Sequence, residues 1–189
     1  MENNYYRTLN LDFELDTTHF EYIKTIIKDP LKKETLMMGS NFIDDGLRRF
    51  AAGCKCTVLK MNYFYTPAGE SRVIHSDSIK QDNITHINFI FNGTNSIMKW
   101  WQLKDKTITG NTGILPNGKK YYYFSEDDCN LVAEKEIIEP TMVNVGSLHS
   151  VENYTDHDRW AISYSLGDEN KKPLQWNIAM ERFSEYFVL

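Results

Sequence analysis

The chain has 189 residues, 41% hydrophobic and 13% aromatic, which is enough for one domain with a substantial core and does not call for a second. A net charge of −5 and a pI near 5.5 argue against a protein whose main partner is nucleic acid or an anionic membrane. The stretch from Met1 to Arg7 is polar and leads into no apolar run of signal-peptide or membrane-span length, so a cytoplasmic protein without a membrane partner is expected. Cys54, Cys56 and Cys129 do not form a disulfide framework, and reduced thiols fit that compartment. Asn83, Asn92 and Asn153 match glycosylation acceptors only formally.

In chain order, Asp16 reads as an N-cap, and Phe20, Ile23, Ile26 and Ile27 recur at helical spacing until Pro30 ends the segment. A second helix is expected over residues 44–52, with Leu47, Phe50 and Ala51 on its apolar side and Gly53 as its stop. From Lys55 the texture changes to β-branched and aromatic runs. Strands are predicted over 56–65, 72–77, 84–91 and 96–103, separated by Pro67, Gly69, Asp82 and the Asn92-Gly93 turn. Further strands are predicted over 121–124, 130–133, 142–145, 150–153 and 159–166, and residues 105–120 read as an exposed hairpin or mobile loop. Many short strands with turn signals between them favour a mainly β jelly roll or sandwich. The single domain then divides into helical support over 1–54, a β core over 55–167 and a C-terminal extension over 168–189.

The chemistry concentrates on His75, Asp77, His149 and Arg159. On a strand, side chains two apart share a face, so His75 and Asp77 present an imidazole and a carboxylate to the same side. A distant His149 completes a 2-His-1-carboxylate set, which grips a metal on one face and leaves its other positions open. Arg159 offers a planar fork to a carboxylate. Plainer readings stand beside these: a strand-end polar pair at His75 and Asp77, and a surface ion pair of Arg159 with Asp156 or Asp158.

The run Tyr65, Gly69, His75, Asp77, followed by His149 and Arg159, resembles the Fe(II)/2-oxoglutarate-dependent dioxygenase superfamily, with a prolyl-hydroxylase-like Tyr-Gly-His-x-Asp portion. The resemblance spans roughly residues 60–166. It implies a double-stranded β-helix of the cupin-like jelly-roll kind, with N-terminal helices packed on one sheet. It implies that His75, Asp77 and His149 form the catalytic set that binds Fe(II), and that Arg159 pairs with the distal carboxylate of 2-oxoglutarate. Tyr65, with Tyr63 on the same face, is expected to donate to that carboxylate, and Asn88 to reach the co-substrate. The reaction so implied consumes O2 and 2-oxoglutarate, releases succinate and CO2, and hydroxylates a small molecule or a peptide side chain.

Two departures qualify the resemblance. The family often has Ser or Thr two residues after the arginine, where this chain has Ala161, leaving Tyr65 or Ser163 to compensate. The nucleic-acid demethylase branch has a second arginine six residues after the first, where this chain has Ser165, so no nucleic-acid substrate is expected. Asp77 sets aside the halogenating branch, which replaces the carboxylate ligand by a small residue.

A cupin-type metalloprotein that does not use 2-oxoglutarate competes for the same residues, because Gly146, His149 and Asn153 have the spacing of the second cupin motif. The first cupin motif is missing, since residue 77 is Asp. A metal-free jelly-roll binding protein is the third reading. Trp100 and Trp101 point to opposite faces of a strand, so one can pack in the core while the other lines a substrate pocket or covers the outer sheet, and simple core filling is the plainer reading of both. Arg72, Lys99 and Gln102 are candidate polar contacts at its rim, whereas His86 is expected to face outward or pack in the sheet. His19 and His157 read as surface residues.

Overall fold

A computed structural model describes residues 4–26, 35–38, 42–77, 83–114 and 120–188. The elements run β1 (Tyr6–Thr8), α1 (Thr18–Ile26), β2 (Thr35–Met38), α2 (Asp45–Gly53), β3 (Thr57–Thr66), β4 (Glu70–Ser71), β5 (Ile74–His75), β6 (Thr85–Phe91) and β7 (Ile97–Leu103). They continue with β8 (Asn111–Ile114), β9 (Lys120–Phe124), β10 (Cys129–Glu136), β11 (Thr141–Asn144), β12 (Leu148–Asn153), β13 (Arg159–Gly167) and α3 (Trp176–Arg182).

The strands form two antiparallel sheets arranged as a jelly roll. One has the order β1-β11-β6-β13-β3-β2; the other has the order β10-β7-β12-β5-β9-β8, with β4 paired to β12. Strand β13 lies at the centre of the first sheet between β3 and β6, and its side chains are buried on both faces, as a central covered strand requires. Strand β12 is likewise buried along its length, between β7 on one side and the short strands β4 and β5 on the other.

Side-chain alternation sorts the first sheet into two faces. Tyr63, Tyr65, Phe89, Trp160, Ile162 and Tyr164 share one apolar cluster with Phe20 and Ile23 of α1 and with Leu47, Phe50 and Ala51 of α2. Phe20 stacks on Phe91 at 4.3 Å and meets Trp160 edge-on at 5.8 Å, a geometry that adds to plain area burial. Helix α2 begins where the Asp44 side chain accepts the Leu47 amide at 2.9 Å, and its buried residues recur at helical spacing. The opposite face looks toward the second sheet. There Ile90, Val143 and Val145 pack with Met98, Trp100 and Val151.

The structure departs from expectation at several elements. Gly53 lies inside α2; Cys54 caps the helix and Lys55, at φ 55°, makes the left-handed turn. The strand expected over 72–77 is reduced to Ile74–His75, with Asp77 in the bend that follows. Within 105–120, Asn111–Ile114 is a strand paired with Lys120–Phe124. Strands β1 and β2 and helix α3 were not anticipated. Ile27, Pro30 and Asp82 lie outside the described residues, as does the side chain of His19.

Candidate metal centre

His75 and His149 are brought together by strand pairing. They are register partners across β5 and β12, and their ring centroids lie 4.5 Å apart. Asp77 is placed by its own backbone, whose amide donates to the Val145 carbonyl at 3.0 Å. One ligand atom from each of His75, Asp77 and His149 lies within 4.8 Å of the others, with His75 Nε2 at 3.5 Å from Asp77 Oδ1.

Both imidazoles are prepared for metal in the same way. His75 Nδ1 lies 2.8 Å from the Val73 carbonyl and His149 Nδ1 lies 2.9 Å from the Ser147 carbonyl. A carbonyl only accepts, so each Nδ1 carries the proton and each Nε2 keeps its lone pair, the tautomer that metal-binding histidines adopt. Burial, followed by the charge of His75, brings His149 down to about 4, which keeps it neutral near pH 7. Burial alone would push the Asp77 carboxyl up. When an imidazole takes a second proton on Nε2, the hydrogen bond from His75 and the charges of His149, His75 and His86 outweigh it and hold the group well below the ordinary carboxylate range. Two neutral nitrogens and one carboxylate oxygen are the donor set that suits a divalent non-haem iron.

The three residues open into a narrow cavity between the sheets that continues into open solvent. Its walls include Asn88, Arg159 and Ser163 from the first sheet and Met98, Val145 and Val151 above them. Arg159 is 3% exposed; its Nε donates to Ser96 Oγ at 3.1 Å, and its Nη atoms have no partner among the described residues. No described carboxylate forms an ion pair with it, so the surface pairing with Asp156 or Asp158 does not occur. Burial, and then the charge of Arg72, brings its guanidinium down to about 9, still a cation at neutral pH. A buried cation without a counter-charge is costly unless an anion joins it. Asn88 Oδ1 is buried in the same space without a partner. Ala161 lines the cavity where a hydroxyl was considered, and Ser163 Oγ lies 2.9 Å from His86 Nδ1. His86 itself is buried, with Ser165 Oγ at 2.8 Å from its Nε2, so it packs within the sheet.

Several expected site residues lie elsewhere. Tyr63 and Tyr65 do share a face, but it is the helix-side face of β3: Tyr65 packs on Trp160 at 4.6 Å and Tyr63 stacks with Phe20 at 6.5 Å. Phe64, between them, is the cavity residue. Neither tryptophan lines the cavity. Trp100 is fully buried with its Nε1 donating to the Asn144 carbonyl at 3.1 Å, and Trp101 lies on the far side of the second sheet with its Nε1 donating to Ser150 Oγ at 2.9 Å. Lys99 pairs with Glu152 at 2.7 Å. Asn153, the residue that drew the cupin spacing, donates its amide to the carbonyls of Thr66, Pro67 and His157 and so closes a turn.

Arg72 does reach the cavity, and Tyr121 was missed. The Tyr121 ring meets His75 edge-on at 6.5 Å. Tyr121 lies on the strand predicted over 121–124; its pairing with the 72–77 segment, which brings the ring to His75, is not visible in the sequence.

No family model and no curated protein sequence matches this chain. Among solved structures, EvdMO1 aligns at a TM-score of 0.54 and 10% identity over 87% of this chain, which spans about half of that protein, 47%. The shared feature is the fold. HygX from Streptomyces hygroscopicus, solved with nickel and 2-oxoglutarate bound, aligns at a TM-score of 0.48 and 9% identity over 87% of this chain and 82% of its own. A Pseudomonas putida prolyl-4-hydroxylase aligns at 0.44 and 9% identity over 84% and 90%.

Proposed function

We propose that this chain is an Fe(II)- and 2-oxoglutarate-dependent oxygenase that hydroxylates a small molecule or a peptide side chain. The observation that carries the reading is the presence, in one cavity, of three convergent ligand atoms and a buried arginine with unpaired Nη atoms. His75, Asp77 and His149 hold the metal through Nε2, a carboxylate oxygen and Nε2. Fe(II) bound there supplies the oxidising chemistry, with open positions for a 2-oxo acid and O2, and 2-oxoglutarate leaves as succinate and CO2. Arg159 fixes the distal carboxylate of 2-oxoglutarate with its two free Nη groups, aimed by the Nε bond to Ser96. Asn88 adds a polar contact from the neighbouring strand, and Ser163 supports that wall through its bond to His86. Ala161, Met98, Val145 and Val151 keep the space apolar, which limits water around the reacting groups.

In this reading the whole chain is one domain. Residues 1–54 support the sheets, 55–167 form the double-stranded β-helix and 168–189 close it, with the N-terminal helices over the outer face of the first sheet. A cytoplasmic site of action belongs to the same proposal; no described helix is long and apolar enough to cross a membrane.

Anaerobic titration of the metal-free protein with Fe(II) and then 2-oxoglutarate tests the proposal. The expected result is a visible metal-to-ligand charge-transfer band that appears only when both are present. Tight Fe(II) binding with no band would overturn 2-oxoglutarate as co-substrate, and no metal binding would overturn the oxygenase.

A further inference from the structure

Among the described residues, the cavity lining has more positive charge than the proposed co-substrate can neutralise. Asp77 is the one carboxylate among the described lining residues, against the two guanidiniums of Arg72 and Arg159. A divalent metal raises the positive charge by two and a dicarboxylate lowers it by two, so the described lining keeps a net charge of +1. Glu70 lies near Arg72, but it is partly exposed and does not line the cavity. Arg72 is half-buried on the cavity wall, where a net positive charge favours the uptake of a further anion.

The geometry shows which arginine receives it. Arg159 projects from β13 in the first sheet, whereas Arg72 comes from the link between β4 and β5, on the wall that carries His75. Its Nη2 donates to the Tyr65 carbonyl at 2.6 Å and its Nε to Thr66 Oγ1 at 3.3 Å. Its guanidinium carbon lies 5.5 Å from the Phe64 ring centre, a cation–π contact that holds the plane in place. The Nη1 has no partner among the described residues. The guanidinium is therefore oriented by three protein groups and left with a free end, which is how a pre-organised anion anchor is built.

We propose that Arg72 is the anchor for the oxidised substrate, and that this substrate is a monoanion whose carboxylate meets Arg72 while its apolar body lies along Phe64, Met98 and Val151. The assignment rests on the 2-oxoglutarate reading for the role of Arg159. It predicts two independent anion sites in one cavity, one for the co-substrate and one for the substrate.

The test uses protein loaded with Zn(II) and 2-oxoglutarate, which binds without turnover. Calorimetric titration with matched pairs, 3-phenylpropionate with its primary amide, hexanoate with its amide, and N-acetyl-leucine with its amide, reads the preference for a carboxylate. At least one acid should bind tenfold or more tightly than its amide without displacing 2-oxoglutarate. Arg72→Gln should abolish that preference and leave 2-oxoglutarate affinity within twofold. Arg72→Lys, which keeps the charge and loses the fork, should retain part of the preference and serves if the Gln variant does not fold. Equal binding of acid and amide in every pair, no binding of any acid, displacement of 2-oxoglutarate by the acid, or a loss of 2-oxoglutarate affinity in Arg72→Gln would each overturn the assignment. If the wild-type chain takes up no 2-oxoglutarate, the functional reading falls; an acid preference lost in Arg72→Gln still upholds the Arg72 anchor, and one kept overturns it.

Discussion

His75 and His149 oppose each other directly across the β5–β12 pair, and each donates Nδ1–H to the carbonyl two residues before it. The same backbone device therefore turns both Nε2 atoms toward Asp77. Replacing His149 by Ala should remove one of three ligands and lower Fe(II) affinity by more than about 100-fold, since loss of even an outer-shell partner costs about 10 to 100-fold. Iron content after gel filtration, with circular dichroism to confirm the fold, checks this. Wild-type stoichiometry in that variant would show that the ion binds elsewhere.

Arg159 combines burial with unpaired Nη atoms, so its removal should have opposite effects on binding and on stability. Arg159→Met should weaken 2-oxoglutarate by roughly 2 kcal/mol or more, about 30-fold, because a buried charge partner is lost. The ligand-free variant should be more stable by roughly 1 to 3 kcal/mol, since an uncompensated buried cation has been replaced by an apolar side chain. Co-substrate titration and urea unfolding measure the two effects. A variant with reduced stability and unaltered 2-oxoglutarate affinity would refute the anchor.

Tyr65 lies on the helix-side face, beside Trp160, where burial and then the neighbouring Asp158 push its phenol up to about 12. Tyr65→Phe should leave 2-oxoglutarate affinity unchanged within twofold. Phe64→Ala, on the cavity face, should enlarge the site and weaken substrate binding. A large loss of co-substrate affinity in Tyr65→Phe would mean that the strand presents its other face to the ligand.

His86 is buried between the hydroxyls of Ser163 and Ser165, and burial brings it down to about 4 from an ordinary value of 6.5. Between those values the unfolded chain binds a proton that the folded chain excludes. Stability is therefore fully present above about pH 6.5 and falls as the pH drops toward 4, by roughly 1.4 kcal/mol per pH unit from this group. Urea midpoints of metal-free protein at pH 7.5 and 5.5 should show the decline, and His86→Gln should flatten it by that amount. An unchanged slope would mean that His86 is already protonated in the folded state.

The candidate ligand set was legible by type and spacing: His75, Asp77, His149 and Arg159 do converge on one cavity. Their neighbours were harder to read because the pleat has two faces and the sequence here does not distinguish them. Along Tyr63-Phe64-Tyr65 every residue is aromatic, so alternation carries no polarity, and a shift of one position reverses the assignment. Strand β13 is buried on both sides and is equally uninformative. Trp100 and Trp101 were correctly separated in direction, but both sides of β7 are packed, so neither was left to line a pocket. Helix α3 was missed although Trp176, Ala179 and Phe183 recur at helical spacing, because Gln175 at its N-cap makes no side-chain capping bond that would have marked its start. Strands β1, β4 and β5 are only two or three residues long, too short for periodicity to show.

The ligand-bearing groups rest on supports of unequal strength. His149 sits in a six-residue strand buried from end to end, whereas His75 belongs to a two-residue strand with one register pair to β12 and two to β9, and Asp77 lies in the bend beyond it on a single amide bond to the Val145 carbonyl. Segments with so few ladder bonds open at a lower free-energy cost than the core does. An ion held by all three side chains would act as a clasp, fastening this weakly tethered limb to the rigid wall and stabilising it by mass action in proportion to how tightly it is bound. Loading the metal would then be the last step of folding for this corner of the molecule.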